Sequence, residues 1–228
     1  MSIINAKNVH KTYDTGKIQV KALKGINLDI EKGEMVAIMG PSGCGKTTLL
    51  NCLSGLDDLT AGKVLLEGQD IHAMKDNPRT EYRAQKMGFI FQSFNLLPVL
   101  TALENVELPL LVSGTSSKDA KQNAEKALEM VGLTQWKDHK PSELSGGQQQ
   151  RVTIARSLVN DPLIVWADEP TGNLDTKNSK EIMALILKLN KENNQTFVIV
   201  THDPAVGKMC KRIVEMESGL IKREVNNQ

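Results

Sequence analysis

The segment from residue 40 to residue 47 constrains this chain more than any other. It reads Gly-Pro-Ser-Gly-Cys-Gly-Lys-Thr, which fits the phosphate-loop pattern of a glycine, four residues and Gly-Lys-Ser/Thr. An apolar run, 35–39, precedes it and a helix-like stretch, 48–53, follows it, which is the strand–loop–helix context that the motif needs. Because glycine accepts positive φ, such a loop turns its backbone N–H groups towards one point. The pattern therefore predicts an anion site at a helix N-terminus.

Individual side chains of this loop have predicted roles. Lys46 is expected to reach the β- and γ-phosphates of a nucleotide, and the Thr47 hydroxyl to bind Mg²⁺. Cys44 occupies a variable position of the motif, and we interpret it as an inert small residue. The residues predicted to form this part of the site are Gly40, Pro41, Ser42, Gly43, Cys44, Gly45, Lys46, Thr47 and Thr48.

Composition excludes several classes of protein. The 228 residues include 28 Lys and Arg against 27 Asp and Glu, so the basic excess typical of a nucleic-acid binder is absent and no nucleic-acid partner is expected. The longest apolar runs have about five residues, whereas a membrane span needs roughly 20. The first residues lack the apolar stretch of a signal peptide, which predicts a cytoplasmic protein. The three cysteines lack metal-ligand spacing and are expected to be free thiols.

The order of predicted elements indicates an α/β fold. The middle of the chain, 93–157, has a helical pattern, with apolar residues at helical spacing in 120–131 and a polar surface loop expected between 111 and 121. A further helix is expected at 176–189. Runs typical of strands are 3–9, 20–30, 35–39, 63–68, 87–91, 163–167, 196–200, 213–216 and 220–222.

Alternation of strands and helices predicts a parallel sheet covered by helices. We expect a P-loop NTPase core with an N-terminal antiparallel β layer and an inserted α-helical subdomain. The whole chain, 1–228, is expected to be one domain, with the nucleotide-binding core in 1–92 plus 158–228 and the helical subdomain in 93–157.

A second site element follows the apolar run 163–167, which is typical of a buried parallel strand. The run ends in Asp168 and Glu169, at the strand end where ligands bind in such sheets. Asp168 is predicted to hold Mg²⁺, and Glu169 to polarise an attacking water. Alone, the pair could equally be two solvated acids, but a phosphate loop in the same chain favours a site.

A third element is the sequence Leu-Ser-Gly-Gly-Gln that begins at Leu144. Ser145, Gly146, Gly147 and Gln148 precede or begin a helix-forming run, so they could form a second anion site. From the residues alone, an ordinary turn that caps a helix is the better interpretation.

The chain nevertheless resembles the ATP-binding-cassette (ABC) ATPases over nearly its whole length, since Leu-Ser-Gly-Gly-Gln is the signature of that family and six motifs appear in its order. The resemblance implies that Tyr13 stacks on adenine and that Gln92 touches Mg²⁺ and the attacking water. It implies that the loop 173–175 meets its counterpart across a dimer, and that His202 contacts the γ-phosphate.

Partners and cofactors follow from the same resemblance. Two copies would enclose two ATP molecules with Mg²⁺, the phosphate loop of one copy facing residues 145–148 of the other. The resemblance implies that the homodimer would form on ATP binding and that a separate integral membrane permease would dock beside 93–100, so the protein would be peripheral on the inner face of the cell membrane. The implied catalytic residues are Glu169, His202, Gln92 and Lys46, and the implied metal ligands are Thr47, Gln92 and Asp168.

Two segments, 96–106 and 167–175, indicate a subgroup within the family, because they resemble the macrolide-efflux, lipoprotein-release and antimicrobial-peptide-resistance ATPases. A cell-division ATPase that acts through a membrane partner remains an alternative. A P-loop GTPase or kinase is a weaker one, because the near-match Asn190–Asn193 to a guanine-reading motif lacks its aspartate. Scaffolding relatives commonly carry long coiled coils or a second cassette, and neither pattern is present here.

Overall fold

The fold is taken from a computed structural model, which describes residues 2–227. In these residues the strands, in chain order, are β1 (Ser2–Asp14), β2 (Gln19–Glu31), β3 (Met35–Met39), β4 (Ala61–Leu66), β5 (Gln69–Asp70), β6 (Met87–Phe91), β7 (Ile164–Asp168), β8 (Thr196–Thr201), β9 (Arg212–Glu217) and β10 (Leu220–Asn226). The helices are α1 (Lys46–Leu53), α2 (Asp76–Lys86), α3 (Ala102–Val112), α4 (Ser117–Met130), α5 (Gly146–Leu158), α6 (Thr176–Asn193) and α7 (Pro204–Met209), with short 3₁₀ turns at Thr134–Trp136 and Pro141–Glu143. None of these helices is both long and apolar enough to cross a bilayer.

The N-terminal part forms the predicted antiparallel layer. Its sheet has the order β2-β1-β4-β5, and every neighbouring pair is antiparallel. The strands of the long β1–β2 hairpin extend beyond the predicted ranges 3–9 and 20–30, so that Tyr13 and Asp14 belong to β1. The hairpin turns at Gly16, whose φ of +77° few other residues adopt at low cost.

A second sheet carries the predicted parallel core. Its order is β10-β9-β3-β8-β7-β6, with parallel pairing throughout except at the β9–β10 hairpin. Successive residues of a strand point to opposite faces: Val36 and Ile38 pack with the antiparallel layer, whereas Met35 and Ala37 pack with the helices. Both faces are covered, and accordingly β3 is apolar throughout, while β7 and β8 are apolar except for Asp168 and the terminal threonines of β8.

Helices α3, α4 and α5 share one core with the helix-covered face of this sheet, to which they contribute Val106, Leu128 and Val152. The predicted loop 111–121 is wrong in extent, because α3 continues to Val112 and α4 begins at Ser117. The polar residues after position 116 instead start a helix, since the Ser116 hydroxyl accepts a hydrogen bond from the Asp119 N–H at 3.2 Å and caps it. The sequence does not predict α2, because this helix is mostly polar and none of its residues is fully buried.

Candidate active site

The predicted phosphate loop connects the end of β3 to α1, and its glycines are required by geometry. Gly40, Gly43 and Gly45 have φ values of +154°, +76° and +104°. A Cβ atom at Gly40 would lie 2.2 Å from the Met216 carbonyl oxygen, and one at Gly45 would lie 2.7 Å from that of Ala22. Neighbouring backbone therefore leaves no room for side chains at either end of the loop.

Lys46 places a positive charge against this loop. Its side chain is almost fully buried, and Nζ donates hydrogen bonds to the carbonyl oxygens of Gly40 at 2.9 Å and Pro41 at 3.0 Å. No carboxylate within 4 Å neutralises it among the described residues. The ammonium group is therefore held in place by neutral acceptors, and its charge is available to an anion.

Asp168 and Thr47 come together at one edge of the parallel sheet. Strands β3, β8 and β7 are neighbours, and Asp168 lies opposite Val200 in the β7–β8 pairing. The Thr47 hydroxyl donates to Asp168 Oδ1 at 3.2 Å. Burial raises the pKa of Asp168, and the hydrogen bond from Thr47 acts in the opposite direction. Two oxygen donors thus converge on a partly buried point where a cation would be favourable.

Glu169 is held against His202. Its backbone has a φ of +47°, in the left-handed region, and its N–H donates to the Val200 carbonyl at 2.9 Å. His202 Nδ1 lies 2.7 Å from Glu169 Oε1, and the Thr201 hydroxyl donates to Oε2 at 3.2 Å. The structure therefore brings together two of the predicted catalytic residues, from the ends of adjacent strands β7 and β8.

Gln92 follows β6, on the other side of β7, and its amide contacts the predicted dimer loop. Nε2 donates to Asn173 Oδ1 at 3.1 Å, and Asn173 Nδ2 donates to the Gln92 carbonyl at 2.9 Å. No hydrogen bond within the described part of the chain joins Gln92 to Thr47 or Asp168. Gln92 is therefore bonded to Asn173 and not to the other predicted metal ligands.

Tyr13 shares a cavity of about 380 Å³ with the phosphate loop. Its side chain is 40% exposed, and the cavity wall beside it includes Gly45, Lys46, Thr47 and Thr48. A nucleotide with its phosphates at the loop could thus present its base to the tyrosine ring.

The signature residues lie at the N-terminus of α5. Ser145 and Gln148 form a reciprocal capping box: the Ser145 hydroxyl accepts from the Gln148 N–H at 3.3 Å, and Gln148 Oε1 accepts from the Ser145 N–H at 2.8 Å. A Cβ atom at Gly147 would lie 2.6 Å from Asn178 Oδ1. None of the residues 145–148 lines the cavity at the phosphate loop. The two predicted anion-binding turns of one chain therefore do not form a single site.

Sequence reasoning missed the side chains that connect α5 to the site. The buried Gln150 donates through Nε2 to the Pro170 carbonyl at 2.5 Å, directly after Glu169. Arg156 donates to the carbonyl oxygens of Asn95 at 2.6 Å and Phe94 at 2.9 Å. Their partners lie 20 and more residues away, so no local pattern could have indicated them.

Comparison with known proteins defines the class. The family described as "ABC transporter" matches residues 23–172. A solved structure, the dimeric post-hydrolysis state of the ATP-binding cassette MJ0796 bound to ADP and Pi, superposes with a TM-score of 0.90 at 46% identity and covers 99% of both chains. The chain therefore belongs to the ABC transporter family. The predicted family and the predicted fold class are confirmed.

The relatives narrow this assignment. The lipoprotein-releasing system ATP-binding protein LolD of Saccharophagus degradans is 46% identical over 222 residues, 97% of each chain. The macrolide export ATP-binding/permease protein MacB of Syntrophobacter fumaroxidans is 45% identical over 226 residues, 98% of this chain but 32% of that protein. This chain is the ATP-binding ATPase subunit of an ABC transporter, similar to the lipoprotein-release and macrolide-efflux subgroup. These matches favour the transporter ATPase over the cell-division and the GTPase or kinase alternatives.

Proposed function

We propose that two copies of this chain enclose two Mg·ATP molecules and that hydrolysis drives a separate membrane permease. The observation that carries the proposal is the separation of the two anion-binding turns, since Ser145–Gln148 lie outside the cavity at Lys46. A second copy would supply its signature turn to this cavity, and its helix N-terminus would add positive potential. The related cassette MJ0796 is dimeric with ADP and Pi, which supports the same arrangement here.

The catalytic roles follow from the positions of the side chains. Glu169 accepts a proton from a water as the water oxygen attacks the γ-phosphorus and the bond to the β–γ bridging oxygen breaks. His202, 2.7 Å from Glu169, orients that carboxylate before nucleotide binds and contacts the γ-phosphate afterwards. Lys46 and the partner's helix end stabilise the charge that develops on the phosphate oxygens.

The oxygen atoms present also fit Mg²⁺. The Thr47 hydroxyl and the Asp168 carboxylate already converge, and hard oxygen donors are what this ion prefers. Gln92 is the third proposed ligand; in this structure its amide is bonded to Asn173. When bound, the ion would neutralise charge on the phosphate oxygens.

The membrane partner is proposed to dock beside the segment 93–100, which places the protein at the inner face of the membrane. Within this segment Leu97 and Val99 are exposed, Val99 to 74%. Next to it lies a groove between 80–91 and the helical region, whose walls include Asn95, Pro109 and Arg156. This segment is apolar, partly exposed and directly follows Gln92, so a partner that binds it can alter the position of Gln92. We also propose 93–157 as a subdomain inserted between two halves of the core, 1–92 and 158–228.

Substitution of Glu169 tests the proposal. We expect Glu169→Gln to bind ATP but to lose hydrolysis by about 10²- to 10⁴-fold, the usual contribution of a general base. Because bound ATP then persists, size-exclusion chromatography with MgATP should show a dimer that wild-type protein forms only transiently.

Glu129→Gln is the matched control, since Glu129 is an exposed glutamate on α4 outside the site. It should leave turnover unchanged. A Glu169→Gln protein that stays monomeric when saturated with MgATP contradicts the proposed dimer, and one that hydrolyses ATP at the wild-type rate contradicts the assigned base.

A further inference from the structure

Asp57 lies between α1 and β4 and contacts two side chains of β1. Its Oδ2 accepts a hydrogen bond from the Tyr13 hydroxyl at 2.7 Å, and its Oδ1 accepts one from Lys11 Nζ at 2.6 Å. Residues 11 and 13 of a strand point to the same face, so one carboxylate can bind both. The Asp57 N–H donates to the Asn51 carbonyl at 3.1 Å, which anchors this loop to α1.

Lys11 occupies one face of the Tyr13 ring. Its Nζ lies 4.8 Å from the ring centroid and also donates to the Asp58 carbonyl at 2.7 Å. A cation at this distance is attracted by the aromatic face, so that face is covered. The ring is still 40% exposed, and it lines the same cavity as Lys46. The uncovered face is therefore the one available to a ligand.

The carboxylate is suited to fixing the ring. Burial opposes ionisation of Asp57, but the hydrogen bonds from Lys11 and Tyr13 outweigh it and lower the pKa of Asp57. Both bonds thus involve a charged group, and such bonds are stronger than neutral ones. An exposed tyrosine without a partner would lose rotational freedom when a base stacked on it. A ring that is already held loses little, so the entropy cost of binding the base is smaller.

We propose that Asp57 is a positioning residue that holds Tyr13, together with Lys11, in the orientation that receives the base of the nucleotide. Asp57 acts through the tyrosine and does not touch the ligand. The inference rests on the proposed function, in which ATP binds at the phosphate loop with its base at Tyr13.

The test compares a ligand that has a base with one that lacks it. We expect Asp57→Ala to weaken ATP binding about tenfold, the effect of losing one charged hydrogen bond, and to leave the affinity for inorganic tripolyphosphate within about twofold of wild type. Asp58→Ala is the matched control, because the Asp58 carboxylate pairs with Arg79 and not with Tyr13 or Lys11. It should bind both ligands as wild type does. Isothermal titration calorimetry measures the six affinities, those of wild type, Asp57→Ala and Asp58→Ala for each ligand.

A double-mutant cycle separates positioning from general destabilisation. Tyr13→Phe should weaken ATP binding in the same direction, and Asp57→Ala added to it should cause little further loss, because the two residues act through one bond. Additive losses, or equal weakening of ATP and tripolyphosphate binding by Asp57→Ala, would overturn the inference.

Circular dichroism checks that each variant folds. If Asp57→Ala does not fold, it is replaced by Asp57→Asn, which keeps the side-chain volume and removes the charge. Wild-type protein that binds tripolyphosphate but not ATP, or neither, refutes the proposed function itself. Wild-type binding of ATP with no change in Asp57→Ala refutes only the role of Asp57.

Discussion

Gly45 illustrates how a single residue is dictated by its surroundings. The motif predicts a glycine there from the local need for positive φ, and the structure gives +104°. The motif does not show that the Ala22 carbonyl of β2 lies 2.7 Å from where a Cβ would be. That contact depends on how the antiparallel layer meets the phosphate loop, which local sequence does not encode.

We expect Gly45→Ala to be destabilising and to weaken ATP binding. Positive φ costs a non-glycine residue about 1–2 kcal/mol, and the contact with Ala22 adds to this cost. Gly132→Ala is the control, because Gly132 also has positive φ (+74°) but a Cβ atom there would meet nothing within 4 Å. Urea unfolding and a fluorescent-nucleotide titration compare the two; equal stability loss with unchanged ATP affinity would show that the Ala22 contact is irrelevant.

Helix α5 shows what can be predicted at the scale of one element. The residues predict a helix over 148–158, and the structure begins it at Gly146 because Ser145 and Gln148 cap each other. The start predicted for α4 is too late, since its first turn is polar and only the cap at Ser116 marks it. Apolar periodicity thus locates α4, which contributes to the core, and misses α2, which is mostly polar and has no fully buried residue.

Ser145→Ala should separate the structural role of the cap from its role in hydrolysis. Loss of the cap is expected to cost about 1 kcal/mol of unfolding free energy. ATP affinity of the monomer should not change, since Ser145 lies outside the cavity of its own chain, but ATP turnover should fall.

Ser116→Ala is the matched control, because Ser116 caps α4 in the same way, with its hydroxyl accepting from the N–H three residues on. It should lose similar stability and keep wild-type turnover. If both variants hydrolyse ATP equally well, Ser145 has no role beyond capping.

The order of the strands in the whole molecule could not be predicted from the sequence. Alternation of strands and helices predicts the parallel sheet, but not that β3 lies between β8 and β9, which come from the last third of the chain. Motif order and family resemblance supply the site residues. The bonds that join those residues, such as that between Glu169 and His202, depend on the three-dimensional arrangement of the strand ends.

Because two thiols are buried, the unfolding free energy of the protein is expected to fall at alkaline pH. Burial raises the pKa of Cys52 and of Cys210 from 9.0 to about 12. The folded state keeps these protons longer than the unfolded state, so their contribution is fully present below pH 9 and is lost as the pH rises towards 12.

Each thiol should lower the unfolding free energy by about 1.4 kcal/mol per pH unit above pH 9. Urea unfolding between pH 9 and 10.5 measures the slope, and the Cys52→Ala/Cys210→Ala variant is the control that should have a shallower one. Iodoacetamide at pH 8 should modify neither thiol in the folded protein. Rapid labelling, or equal slopes in both proteins, would contradict this prediction.

Helix α5 carries the signature turn at one end, holds Pro170 through Gln150 near its middle, and holds Phe94 and Asn95 through Arg156 near its other end. Its 13 residues extend about 20 Å. A helix of this length is stiff, so if a partner docks at 93–100 as proposed, a displacement of Asn95 would also move the Ser145 turn. In the proposed dimer, this single helix would link the permease-docking segment to the nucleotide bound by the second copy, so each could affect the position of the other.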